Sequence, residues 1–139
     1  MNAHKLPTGY LLRFSKDEKL VESLTAFIKE HKIKAGWLTG LGGAQGAEVG
    51  FYNLENQEYE WHTSVSLAEI TNLTGNIAWQ NDEPTIHIHI TLSDDKLRAY
   101  GGHLKELVVG GTVEIRIDVF DKKLERTFDK ETGLNLLDI

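Results

Sequence analysis

The sequence predicts an α+β fold, a central and mostly antiparallel or mixed β-sheet carrying one main amphipathic helix. Three patterns predict it. Thr85 to Ser93 alternates, with Ile86, Ile88, Ile90 and Leu92 on one face and Thr85, His87, His89, Thr91 and Ser93 on the other. That is the period of a half-buried strand. Thr112 to Phe120 alternates in the same way, Val113, Ile115, Ile117 and Val119 facing a core and Glu114, Arg116 and Asp118 facing away. Leu20, Val21, Leu24, Phe27 and Ile28 instead fall on one helical stripe.

In chain order, Tyr10 to Phe14 reads as the first strand, preceded by a loose terminus that includes His4. Ser15 is placed as an N-cap, and Glu18 three residues later completes a capping box for the striped helix. Lys29, His31, Lys32 and Lys34 lie near that helix's C-terminal end, where cations suit the dipole, so His31 reads as a surface residue.

The glycine-rich stretch from Ala35 to Gly46 raises a dinucleotide reading. It fails on detail, since Gln45 stands where a third fingerprint glycine belongs and no Gly-Lys-Ser/Thr follows. The glycines are read instead as bends or bulges where backbones approach closely, and as a possible pocket wall.

Strands are expected over Tyr59 to His62, Ser64 to Leu73 and Asn76 to Trp79, and Ser93 to Lys96 is a polar turn. Gly102 to Val109 is read as a short helix. Of the tryptophans and tyrosines, Trp37, Trp61 and Trp79 are assigned to core or subunit interface, because no basic run accompanies them as in a base-stacking platform. His62 is placed on a strand with no role.

At 139 residues the chain fits one domain over 1–139, with its core between about 8 and 138. A hydrophobic fraction of 40% and a charged fraction of 26% are those of an ordinary globular protein. No apolar run approaches a membrane span, the first residues lack the apolar core of a signal peptide, and a cytoplasmic location is expected. The absence of cysteine excludes disulfides and thiolate metal sites. With 15 basic and 21 acidic residues the net charge is -6. A duplex-binding surface usually needs a basic patch, and this sequence has no basic run.

The chemistry concentrates in the histidines. His87 and His89 share the polar face of one strand, and His103 follows in Gly101-Gly102-His103-Leu104. Neutral imidazole is a common zinc ligand, and three histidines with an open fourth position form a known catalytic arrangement. Hydrogen-bonded strand histidines are the alternative. Nucleophilic hydrolase chemistry has no support, since cysteine is absent and no Gly-x-Ser-x-Gly elbow occurs.

Several runs in order resemble a known family. Leu38-Thr39-Gly40-Leu41-Gly42-Gly43-Ala44, Gly50-Phe51-Tyr52 and Glu69 to Ala78 come first. His87-Ile88-His89, Leu92-Ser93-Asp94, Gly101 to Leu104 and Gly110 to Ile115 follow. Together they resemble the plant and prokaryote conserved (PPC) domain of plant AT-hook nuclear proteins, over about residues 8 to 138. The resemblance implies an α+β domain assembled as a homotrimer, in a stand-alone prokaryotic member with a DNA-binding or transcription-associated role. It also implies a zinc site at His87, His89 and His103. One departure matters: the Arg-Gly-Arg-Pro AT-hook is absent, and neither Pro7 nor Pro84 adjoins an arginine.

Two functions follow. One is a trimeric, DNA-associated module with weak and salt-sensitive affinity. The other is a zinc metalloprotein that binds or transforms a small molecule on the polar face of the His-x-His strand. Glu69, Thr91, Ser93 and Asp94 are then candidates to orient the metal-bound imidazoles. No general acid or base is assigned, and an enzymatic activity is not expected. A cupin-like barrel, suggested by Asp94 beyond the His-x-His pair, fits poorly with the early helix.

Overall fold

A computed structural model describes residues 1–139. Its elements are β1 (Asn2–Leu6), β2 (Gly9–Ser15), α1 (Leu20–Glu30), β3 (Gly36–Asn53), β4 (Glu58–Ser64), β5 (Ala68–Gln80), β6 (Glu83–Ser93), β7 (Ala99–Val119), β8 (Glu125–Phe128) and β9 (Asn135–Asp138). Mostly antiparallel pairing around one helix is the α+β class that the alternating runs predict. The exception is a parallel contact between β5 and β8 at Trp79 and Glu125.

Two long strands organise the sheet. β3 pairs with both β5 and β7, β5 pairs with β6, and β6 pairs back onto β7. These four strands therefore close a circuit. The buried side chains Leu38, Leu73, Ile77, Ile88, Leu92, Leu107, Ile115 and Ile117 belong to one core cluster. Burial of this many aliphatic groups, each contributing about 1.5–3 kcal/mol, is the main force holding the circuit closed. Helix α1 adds Leu20, Leu24, Phe27 and Ile28 to the same cluster, as its stripe predicts.

Several expectations need correction. The amino terminus is not loose: β1 pairs with β2 in a tight hairpin, His4 lying opposite Leu11. The helix begins later than the capping box suggests. Asp17 adopts a left-handed φ of 70°, which ends any helix started at Ser15. Only half of the box forms, the Ser15 N–H donating to Glu18 Oε2 at 2.7 Å. The free amides of the first helical turn go elsewhere: Val21 and Glu22 donate to the Glu106 carboxylate at 2.8 and 3.1 Å.

The two segments expected around Ser64 to Trp79 are largely one strand, β5, running unbroken through Gly75. Gly102 to Val109 is not a helix but part of the 21-residue strand β7. Leu104, Leu107 and Val109 are all buried, a spacing that imitates a helix. The imitation has a cause: the β3–β7 register shifts between Glu48 and Val49, so the alternation changes phase within the strand. Gly40, Gly42, Gly43 and Gly46 do sit at bulges, with register shifts on either side of Gly42, whose φ is +146°.

Candidate metal centre

The closed circuit turns the polar face of β6 outward, and the alternation of the sequence is kept. Ile88, Ile90 and Leu92 are buried, whereas His87 is half-buried and His89 exposed. His103 arrives from β7 because it is the register partner of His89. Directly paired residues in a ladder present their side chains on one face, so three imidazoles meet there. One ligating nitrogen from each of His87, His89 and His103 lies within 4.8 Å of the others. Their ring centroids are separated by 5.0, 5.0 and 5.7 Å. This set could hold a metal ion.

The glycines around the histidines are structural. A Cβ on Gly75 would strike the His87 carbonyl, and one on Gly101 the Ile90 carbonyl. A Cβ on Gly102 would come within 2.6 Å of the Gly50 carbonyl. β5, β6, β7 and β3 can thus approach one another at the histidines only where side chains are absent.

The electrostatics favour the neutral form of His103 and His87. Burial lowers the pKa of His103 to about 4, with His87, His89 and Arg126 adding repulsion. His87 is lowered too, first by burial and then by Arg126 and His89. Neutral imidazole is the form that ligates a metal. The Nδ1 of His103 is buried without a hydrogen-bond partner, and an orphaned ring nitrogen is a group that coordination or an ordered water would satisfy. The donor set therefore fits a metal.

Four residues around the triad have no site role in the sequence analysis, which assigns Trp61 among them to core or subunit interface. Tyr59 and Trp61 of β4 stack at 4.8 Å between centroids, and Tyr59 lies 4.9 Å from the His103 ring. Trp61 reaches this position over Gly50, where an added Cβ would meet its indole at 2.7 Å. Asn76, the single buried polar residue, is the register partner of His87. Its Oδ1 accepts from Arg126 Nη2 at 2.6 Å. The Tyr59–Trp61 spacing places both rings on one strand face, a signal the sequence does carry. Arg126 has none.

The proposed orienting residues are mostly elsewhere. Glu69, Ser93 and Asp94 line a separate cleft of about 510 Å3 with Gly42, Gly43, Gly110 and Gly111, so the glycine-rich segment walls that cleft rather than the histidines. Asp94 is occupied by Arg98 and by backbone amides of its own turn. That also removes it from a cupin-like ligand set. Thr91 lines a hollow beside His89, its carbonyl accepting from Thr71 Oγ1 at 3.1 Å. His31 stacks on Phe27 at 4.0 Å, and His62 is exposed on β4.

Comparison with known proteins gives the family. The model of the Plants and Prokaryotes Conserved (PCC) domain matches residues 1–121. The chain belongs to this family. A "Putative DNA-binding protein" of Ralstonia eutropha JMP134 is 33% identical with a TM-score of 0.94, covering 99% of this chain and 95% of that one. A protein of Bacteroides thetaiotaomicron described in the same terms is 30% identical with a TM-score of 0.95, covering 99% and 96%. The "metal-containing protein" of Archaeoglobus fulgidus is 31% identical with a TM-score of 0.85, covering 98% of each chain. A Synechococcus "Bifunctional protein GlmU" is 29% identical over 135 residues, 92% of this chain. This chain spans about a fifth of the length of that curated relative. No helix of this PCC-domain protein is long and apolar enough to cross a membrane.

Proposed function

We propose that this PCC-domain protein is a zinc-dependent binding module whose His87, His89 and His103 hold one zinc ion and leave a coordination position for a small molecule. The observation that supports it most is the convergence of three ligating nitrogens within 4.8 Å from two paired strands. Zinc suits an all-imidazole set without carboxylates or thiolates. A zinc held by three histidines supplies Lewis acidity at its open position. Around it, Tyr59 and Trp61 form an aromatic wall, and burial raises the Tyr59 pKa, so its hydroxyl stays protonated and able to donate. No general acid or base is assigned, and binding rather than turnover is the function proposed.

Elemental mass spectrometry on protein purified without added metal tests this. About one zinc per chain, lost in the His87→Ala, His89→Ala variant with the fold intact, is the expected result. No uptake by either protein, even after zinc is supplied, would overturn it.

A homotrimer belongs to the same proposal. Exposed Leu11, Trp37 and Leu41 share the outer face of the β2–β7–β3 sheet, and light scattering in solution tests the assembly. A DNA-associated role is the second reading, favoured by the descriptions of the Ralstonia and Bacteroides relatives. The charge of -6 predicts weak binding at best. Duplex titration at low and high salt decides it.

A further inference from the structure

We infer that Arg126 is an anion-recognition residue of this centre, and that the small molecule taken there carries a carboxylate. The inference rests on the metal-binding reading above and names the class of ligand.

Arg126 belongs to the β8–β9 hairpin, beyond the residues 1–121 matched by the family model. The contact of β8 with β5 at Trp79 brings this hairpin alongside the strand that carries Asn76. Arg126 Nη2 donates to Asn76 Oδ1 at 2.6 Å and Nη1 to the Asn135 carbonyl at 2.8 Å. Because Asn76 is paired with His87, these bonds hold the guanidinium on the face of the triad.

Both acceptors are neutral. None of the eight ion pairs of the protein includes Arg126, and its Nε is buried without a partner. A partly buried cation without a counter-charge is costly. A metal at the triad adds positive charge beside it, so the site lacks an anion.

The donor count favours a carboxylate. A guanidinium has five N–H groups. With two engaged and Nε enclosed, one N–H remains on each terminal nitrogen, the number of donors that a single two-oxygen acceptor takes. A phosphate accepts from more donors than Arg126 and the Tyr59 hydroxyl supply, and Lys105, which lies over the Trp61 ring, is paired with Glu48 at 2.9 Å. The stacked Tyr59 and Trp61 suit an apolar or planar remainder of the ligand.

Cobalt(II)-loaded protein titrated with benzoate, followed by the visible cobalt bands, tests the inference, with inorganic phosphate as the comparison ion. Benzoate is expected to shift the bands saturably, and Arg126→Gln to raise the midpoint by roughly tenfold or more with one cobalt per chain retained. Should Arg126→Gln disturb the hairpin, Arg126→Lys carries the test: it keeps the charge, loses the fork, and is expected to weaken benzoate several-fold. Cobalt uptake without a benzoate response, or unchanged midpoints in both variants, would overturn the inference alone. Phosphate acting at an equal or lower concentration than benzoate would overturn the carboxylate assignment. A wild-type chain that takes up no cobalt would remove the metal reading, and this inference with it.

Discussion

His89 and His103 are register partners across the β6–β7 ladder, with ring centroids 5.7 Å apart. This pairing brings together histidines fourteen positions apart and places both beside His87, two residues along β6. The clustering of the three imidazoles is thus a property of strand register, and a one-residue slip would send them to opposite faces.

The glycines that permit the register are open to direct test. Gly101→Ala forces a Cβ against the Ile90 backbone, and is expected to lower stability by about 1–3 kcal/mol, the usual cost of overpacking. It should also weaken metal uptake, because β6 and β7 must separate at the histidines. Gly111→Ala meets nothing within 4 Å and is expected to stay within about 0.5 kcal/mol. Denaturant melts of the two variants give the comparison.

The helix cap offers a second test. Glu106 accepts both Val21 and Glu22 amides, while the Ser15 hydroxyl caps nothing in α1. Glu106→Ala is expected to cost about 1–2 kcal/mol, the loss of a helix cap and of a negative charge at the dipole's positive end. Ser15→Ala should cost less than about 0.5 kcal/mol. The reverse order, measured by thermal or urea unfolding, would restore the capping box that the sequence suggests.

Protonation of the triad gives a third. In the folded chain His103 binds its proton only near pH 4, against 6.5 for an unperturbed imidazole. The unfolded chain therefore takes up this proton first as pH falls. Metal-free protein should lose stability from about pH 6.5 down to about pH 4, with His87 acting in the same direction, and this contribution should be constant above that window. Melting temperatures of the wild type and a His103→Gln variant across this range check the sign. Zinc uptake should likewise persist below pH 6, where ordinary histidines begin to compete for protons.

Much of the fold and the three histidines were legible because period-2 alternation survives in β6 and in the second half of β7. His-x-His on a polar strand face is a local signal, and His103 was added by its motif. What was not legible is non-local. The first half of β7 reads as helix because a bulge changes its phase, and β1 reads as coil because its pairing with β2 is not encoded in its own residues. Glu69, Ser93 and Asp94 resemble orienting carboxylates and hydroxyls by proximity in sequence. Ser93, six residues beyond His87 on β6, lines a separate cleft with Glu69 and Asp94. Arg126 carries no sequence signal at all, since only tertiary packing of the last hairpin brings it to Asn76.

The proposed binding of one metal ion by His87, His89 and His103 together has a direct crystallographic signature. Anomalous diffraction at the zinc edge, from crystals of protein loaded with one equivalent of zinc, tests it most directly. The prediction is one strong peak per chain at about 2.0–2.1 Å from a nitrogen of each histidine. A triad without a peak, or a peak only in the cleft of Glu69, Asp94 and Asp95, would contradict it.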